Sequence, residues 1–218
     1  IDGLTKVGII KINDNDVCLI DSGNDKDAGR KIKKILEENN WNLVAIYITH
    51  SNADHIGGNK YLQKEYGCKI YAYGIEKTFT SNTILESSFL YGGYPFDDLR
   101  HKFLMAKDSE CEYLTNDVLP SFMEIIKLPG HFFDMIGFKI DNVYFIADSL
   151  SSKSVLDKYQ VGFIYDVREY LNTLEKIKNI SDGIFIPSHA EVTSDIKPLV
   201  DYNINKVHEI IDKILDIC

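Results

Sequence analysis

The sequence lacks an apolar run long enough to cross a membrane. Residues 1–20 also lack the basic start and apolar core that are typical of a secretory signal. From these two absences we expect a cytoplasmic protein that does not bind a membrane. Its four cysteines are scattered and form no Cys-x-x-Cys pair, which excludes a zinc ribbon and a dithiol redox motif.

Positive charge is also scarce. Lysine and arginine number 24 against 33 aspartates and glutamates, which gives a net charge of −9. A phosphate backbone is repelled by such a field unless a local basic patch overrides it. The lysine-rich stretches 31–34 and 176–178 have the amphipathic pattern of solvated helical faces. We therefore expect a small-molecule substrate and no nucleic acid partner.

The composition, with 44% hydrophobic and 26% charged residues, is typical of a globular protein. We predict one domain over residues 1–218. Strand patterns alternate with helix patterns, and no repeat is present. We predict strands at 6–12, 17–21, 43–48, 69–73, 122–128, 135–140, 143–147 and 183–186. We predict helices at 27–39, 59–66, 167–180 and 196–217.

The most informative segment is Thr49-His50-Ser51-Asn52-Ala53-Asp54-His55, which follows the apolar run 43–48. It places two imidazoles, a carboxylate and an amide within six residues at the end of a predicted strand. A loop at a strand end can aim several such groups at one point. The segment therefore indicates metal chemistry.

This segment resembles the His-x-His-x-Asp-His signature of the metallo-β-lactamase superfamily, with Asn52 in place of the second histidine. Three further residues are similar to later metal motifs of that family: His131 in Leu-Pro-Gly-His, Asp148 after the apolar run 143–147, and His189 in Ile-Pro-Ser-His. Together the motifs cover about residues 7–190 in the order that the family shows.

The resemblance implies an α+β fold, an αββα sandwich with two mixed sheets between helical layers. It also implies two metal positions. Asp54, His55 and His189 would form one, with Asp148 shared, and His50 and His131 would form the other together with position 52. The cofactor would be one or two zinc ions, with iron or manganese as alternatives.

The implied activity is that of a hydrolase, in which metal-bound hydroxide attacks an ester, thioester or lactone-type carbonyl. Asp54 would act as a catalytic residue that orients the nucleophile or accepts a proton. A β-lactam is the less favoured substrate, because no export signal is seen. A glyoxalase-like thioesterase or a lactonase fits better.

Three roles are open for Asn52. Its carbonyl oxygen could be a weak metal ligand, since it is a poorer ligand for zinc than imidazole. It could instead hydrogen-bond a bound water or another ligand, or its metal position could stand empty. In every case we expect nearer one than two tightly held metals.

A different class of function is the alternative. His50, His131 and Asp148 form the two-histidine, one-carboxylate set that suits non-haem iron, and persulfide dioxygenases of this superfamily use matching positions. The retention of Asp54, His55 and His189 argues against that reading. A fold used only for binding is the least favoured interpretation.

Histidines taken singly are more often structural than metal-binding. We expect His101 and His208, which lie in polar, helical-looking stretches, to face solvent. Asp21, in Asp-Ser-Gly, is expected to support the site or a turn rather than to bind metal.

Residues 75–120 hold many aromatic residues broken by glycine and proline, and we predict a helical, lid-like insertion there. This segment could cover the metal site and favour a partly apolar substrate. Alternatively, its rings pack the excursion onto the fold or bury a contact in a homodimer.

Overall fold

The computed structural model describes residues 1–160 and 162–218. These residues divide into two compact units, Ile1–Ser121 and Phe122–Cys218. The first unit is built around a mixed five-stranded sheet with the order β1-β2-β3-β4-β5. Its strands are β1 (Gly8–Lys11), β2 (Asp16–Ile20), β3 (Asn42–Ile48), β4 (Lys69–Ala72) and β5 (Glu112–Tyr113). Its helices are α1 (Lys26–Glu38), α2 (Ala53–Ile56), α3 (Asn59–Tyr66), α4 (Glu76–Ser81) and α5 (Ile84–Tyr91), with 3-10 turns at Asp97–Leu99 and Asn116–Val118.

The central strand of the sheet in the first unit is β3. β1 and β2 form an antiparallel hairpin, whereas β2, β3, β4 and β5 run parallel. β3 reads Asn-Leu-Val-Ala-Ile-Tyr-Ile and is almost wholly buried, as a central parallel strand should be. The core of this unit joins its side chains to apolar residues of α1 and α3, including Ile32, Leu36 and Leu62.

Helix α1 shows how local sequence fixes an element. Asp25 lies at its N-cap, where the carboxylate accepts hydrogen bonds from the backbone N–H groups of Asp27 and Ala28. Such caps satisfy donors that the first turn leaves without a helical partner. Ile32 and Leu36 are four residues apart and lie on the same buried face.

The second unit contains a mixed four-stranded sheet with the order β6-β7-β8-β9. Its strands are β6 (Met123–Lys127), β7 (Ile136–Ile140), β8 (Val143–Ala147) and β9 (Ile184–Pro187). The first three form an antiparallel meander, and β9 pairs parallel with β8. Its helices are α6 (Lys153–Tyr159), α7 (Val167–Lys178) and α8 (Lys197–Ile217).

The predicted strands and helices are confirmed, each within two residues at either end. Three short elements were not predicted: α2, α6 and β5. The prediction for His101 was wrong in one respect: it lies in a bend after a 3-10 turn rather than in a helix, although it is exposed as expected. His208 is exposed on α8. Among residues 1–160 and 162–218, no helix combines the length and apolar character that crossing a bilayer requires.

The segment 75–120 is partly helical, through α4 and α5. Of its predicted aromatic residues only Phe79 is buried, whereas Phe89, Tyr91, Tyr94, Phe96 and Phe103 are exposed. Packing of all these rings into the fold was therefore the wrong alternative. The lid and the homodimer contact stay predictions.

Candidate metal centre

Three of the predicted ligands follow β3 in the first unit. His50 and His55 are fully buried, and their ring centroids lie 4.0 Å apart. Asp54, between them in sequence, is partly exposed, and its Oδ2 lies 3.7 Å from His55 Nε2. This carboxylate oxygen also accepts a hydrogen bond of 2.8 Å from the hydroxyl of Thr5. The strand end therefore gathers His50, Asp54 and His55 into one cluster.

Asp21 fixes the orientation of His55. One of its carboxylate oxygens, Oδ2, lies 2.8 Å from His55 Nδ1. Because a carboxylate only accepts, the hydrogen lies on Nδ1 and the lone pair of the ring on Nε2. His55 Nε2 is itself buried. Asp21 thus supports a predicted ligand, which is the role that the sequence suggested for it.

Thr49 extends the same network to His50. Its backbone N–H and its hydroxyl both donate to the Asp21 carboxylate, each over 2.8 Å. The hydroxyl has one hydrogen, so toward His50 Nδ1, 3.1 Å away, it acts as acceptor. The hydrogen of His50 therefore also lies on Nδ1, and the lone pair lies on its buried Nε2.

Asn52, at the one departure from the signature, bonds a residue that the sequence analysis did not select. Its Nδ2 donates to Oε1 of Glu86 over 2.7 Å, and the backbone N–H of Ala53 donates to the same oxygen over 3.4 Å. The preceding residue, Ser51, donates through its N–H and its hydroxyl to Oε2 of Glu76. Two buried glutamates of the helical segment 75–120 therefore hold the motif loop, residues 49–55.

Burial raises the pKa of Glu86 to about 8, while the hydrogen bonds from Asn52 and Ala53 act in the opposite direction. A signal for this residue existed in the sequence. Glu86 is the only charged residue between Lys77 and Asp97. A lone charge in an apolar helical stretch is a candidate for a buried, paired group.

The other three predicted ligands lie in the second unit. Asp148 directly follows β8, and its Oδ2 lies 3.1 Å from His189 Nε2 and 3.7 Å from His131 Nε2. His131 Nδ1 lies 3.0 Å from the backbone carbonyl oxygen of Phe163. A carbonyl only accepts, so the lone pair of His131 is again on Nε2, on the side of Asp148. No pattern in the sequence points to this role of Phe163.

The loop before His131 requires glycine. Gly130 has a φ of 121°, and a Cβ added there would lie 2.2 Å from the backbone nitrogen of Tyr170. Its carbonyl oxygen accepts hydrogen bonds of 3.0 Å from the N–H groups of Tyr165 and Asp166. This close contact anchors the loop that carries His131 to the start of α7.

A recess of about 60 Å³ opens beside His131 and Asp148 within the second unit. Leu156, Phe163 and Ile164 give it an apolar wall. Lys206 adds one cationic group to its lining. A small, partly apolar group therefore fits next to two predicted ligands.

Comparison with known proteins gives a consistent picture. A family model described as the metallo-beta-lactamase superfamily matches residues 2–189. The chain is 25% identical over 182 residues to a hydroxyacylglutathione hydrolase of Buchnera aphidicola subsp. Schizaphis graminum, covering 80% of this chain and 61% of that protein. It is 24% identical over 191 residues to "Probable metallo-hydrolase YqgX" of Bacillus subtilis, covering 87% of this chain and 84% of the relative. The chain thus spans less than two thirds of the first relative's length.

Solved structures share the fold. The BLEG-1 B3 metallo-beta-lactamase superposes with a TM-score of 0.68 at 20% identity, covering 91% of this chain and 92% of that one. TTHA1623 in a di-iron-bound form gives 0.67 at 16% identity, covering 93% and 96%. These matches confirm the predicted fold class, mixed sheets with flanking helices. By the match of the family model over residues 2–189, the chain belongs to the metallo-beta-lactamase superfamily.

Proposed function

We propose that this protein is a metal-dependent hydrolase that cleaves an ester, thioester or lactone-type carbonyl bond in a small molecule. One observation carries the proposal. In His50, His55 and His131 the Nδ1 atom faces a hydrogen-bond acceptor, so that each ring keeps its lone pair on Nε2. Histidines that bind metals are held in this way by a partner at the other ring nitrogen.

The donor atoms suit a borderline divalent ion. Imidazole nitrogen and carboxylate oxygen are the ligands of catalytic zinc sites, and they also serve iron and manganese. We propose as ligands His50, Asp54, His55, His131, Asp148 and His189. When bound, such an ion lowers the pKa of a coordinated water and polarises a carbonyl oxygen.

The residues of the chain would complete the chemistry. Asp54 is partly exposed, and Thr5 fixes one of its oxygens, so this carboxylate is available to orient a water or to accept its proton. The recess beside His131 would receive the small apolar part of the substrate. Asp21 and Thr49 would hold the imidazoles without contacting substrate.

Within the proposed substrate class, the thioester is favoured. Several of the relatives are named hydroxyacylglutathione hydrolases, although their identity to this chain is low. The chemistry of the recess agrees, because a short acyl group fits its volume and its apolar wall. We therefore rank a thioester with a short acyl chain first, ahead of a lactone.

The first experiment is elemental analysis of protein purified without added metal or chelator, together with hydrolysis of a panel of thioesters, esters and lactones. We expect zinc at nearer one than two tightly held ions per chain, and thioester cleavage that is lost in Asp54→Ala. His208→Ala is the control, because this histidine is exposed on α8 and does not line the recess.

The ligand variants distinguish the two classes of function. Zinc that is lost chiefly in His189→Ala supports the hydrolase. The di-iron form of a structural neighbour makes iron the ion to test beside zinc. Iron that is lost in His50→Ala and retained in His189→Ala would favour the dioxygenase-like oxidoreductase that uses His50, His131 and Asp148. Protein without any bound metal would contradict both.

A further inference from the structure

The position where the signature has its second histidine is held by a contact that the motif does not predict. Asn52 lies at the N-cap of α2, and asparagine there usually accepts a backbone hydrogen bond through its side-chain oxygen. Here it makes no such bond. Instead, Glu86, 34 residues away, accepts from the N–H of Ala53 and from Nδ2 of Asn52. Glu86 therefore satisfies a first-turn N–H of α2, whereas the Asn52 side chain does not.

This contact fixes which end of the Asn52 carboxamide faces Glu86. Oε1 of Glu86 receives the backbone N–H of Ala53, so it acts as an acceptor whether or not the carboxyl carries a proton on Oε2. The group that Asn52 turns toward it must then be its amino group, as the 2.7 Å contact shows. The other polar atom of the carboxamide is the carbonyl oxygen.

We propose that Glu86 is a positioning residue that holds Asn52 by its amino group, so that the side chain offers its carbonyl oxygen as a metal ligand in place of the missing imidazole. This inference rests on the proposed function, and it selects one of the three roles open for Asn52. The helical segment 75–120, which carries Glu86, thereby supports the metal position that includes Asn52. An amide oxygen is a harder and weaker ligand than imidazole. The metal position that includes Asn52 should therefore tolerate iron or manganese better than a position with a third histidine would.

Burial explains why the contact is firm. Glu86 is 4% exposed and Glu76 is fully buried, and their carboxylates bond the neighbouring residues Asn52 and Ser51. Glu76 accepts hydrogen bonds from the N–H and the hydroxyl of Ser51, the residue before Asn52. One buried glutamate thus bonds the carboxamide of Asn52, and the other bonds the residue before it.

The test exchanges the donor and the acceptor. In Asn52→Asp combined with Glu86→Gln, the glutamine turns its amino group toward the new carboxylate. The shorter contact, with position 52, is then kept in reverse, and the longer contact with the N–H of Ala53 is lost. The position then offers an ionised oxygen, a stronger ligand than the amide. In Asn52→Asp alone two carboxyl groups meet, and in Glu86→Leu the Asn52 amino group loses its acceptor.

The weaker site is the metal position that includes Asn52. Its affinity for zinc is measured by competition with a chromophoric chelator. The visible spectrum of the cobalt-loaded protein is the second readout. We expect Glu86→Leu to weaken that site by about 10- to 100-fold, the usual cost of removing a group that orients a ligand. Glu86→Gln keeps an acceptor and should retain the affinity. The double variant should bind more tightly than the original protein, and Asn52→Asp alone less tightly than the double variant. Glu86→Gln is therefore the matched control for Glu86→Leu, because it changes the same residue and keeps the acceptor.

The outcomes separate the two proposals. If Glu86→Leu and Glu86→Gln show equal affinity, or if the double variant binds more weakly than the original protein, the role of Glu86 is overturned and the hydrolase stands. Original protein that holds no metal overturns both.

A second measurement needs no destabilising variant. In ¹⁵N-labelled protein the side-chain amide of Asn52 should exchange slowly with solvent. Exchange as fast as that of an exposed asparagine such as Asn116 would overturn the inference.

Discussion

A hydrogen bond at one nitrogen of an imidazole decides what the other nitrogen can do. His50, His55 and His131 each face an acceptor with Nδ1, and the acceptors differ: a hydroxyl, a carboxylate and a backbone carbonyl. Each keeps the hydrogen on Nδ1 and the lone pair on Nε2. At the scale of single residues, the candidate centre is therefore defined as much by these partners as by the ligands themselves.

Asp21→Asn tests this network. Asparagine tolerates the left-handed backbone that Asp21 adopts, with a φ of 60°, so the loop should keep its path. Its amide would, however, donate toward His55 Nδ1 and move the ring hydrogen to Nε2. We expect zinc affinity to fall about 10- to 100-fold while the unfolding midpoint changes little. Asp16→Asn, a half-buried change at the opposite end of β2, should bind zinc normally. Unchanged affinity in Asp21→Asn would contradict the tautomer argument.

At the scale of elements, strand ends deliver the candidate ligands. His50, Asp148 and His189 each follow the end of a buried or half-buried strand within two residues. His131 is the exception, because a loop of three residues separates it from β6. Its position depends on Gly130, which lets the loop approach the start of α7 more closely than any side chain would permit.

Gly130→Ala should therefore destabilise the second unit. The added methyl group would lie 2.2 Å from the nitrogen of Tyr170, in a backbone region that is already unfavourable for alanine. We expect the free energy of unfolding to fall by more than about 2 kcal/mol in a denaturant titration.

Gly67→Ala is the control for backbone strain alone. Gly67 has a φ of 64° at the end of α3, and nothing lies within 4 Å of an added Cβ. This change should cost about 1 kcal/mol. Equal losses in the two variants would show that close packing at Gly130 adds nothing.

At the scale of the whole molecule, charge limits the partners. The net charge of −9 creates a field that repels polyanions. We predict that the protein does not retard a DNA or RNA duplex in a gel at about 150 mM salt, where weak electrostatic contacts are largely screened. A retarded band that disappears at higher salt would contradict this and would point to a local basic surface.

The sequence determined much of the architecture, because hydrophobic periodicity reports which face of an element is buried. The apolar runs that end at Ile48 and Ala147 are strands in the structure, with the metal-binding residue types placed directly after them. The elements that it did not predict, α2, β5 and α6, are short and weakly patterned. β5 has only two residues, which gives periodicity nothing to report.

Only the tertiary structure decided which residues orient the candidate ligands. The contacts of Asp21 with His55, of Glu86 with Asn52 and of Phe163 with His131 join residues 32 to 34 positions apart in the chain. Hydrogen bonds of this kind depend on the path of the backbone between the partners, and no local pattern encodes that path. The sequence thus specified the candidate ligands and the strands that carry them, whereas the fold selected the partners that set their tautomers and orientations.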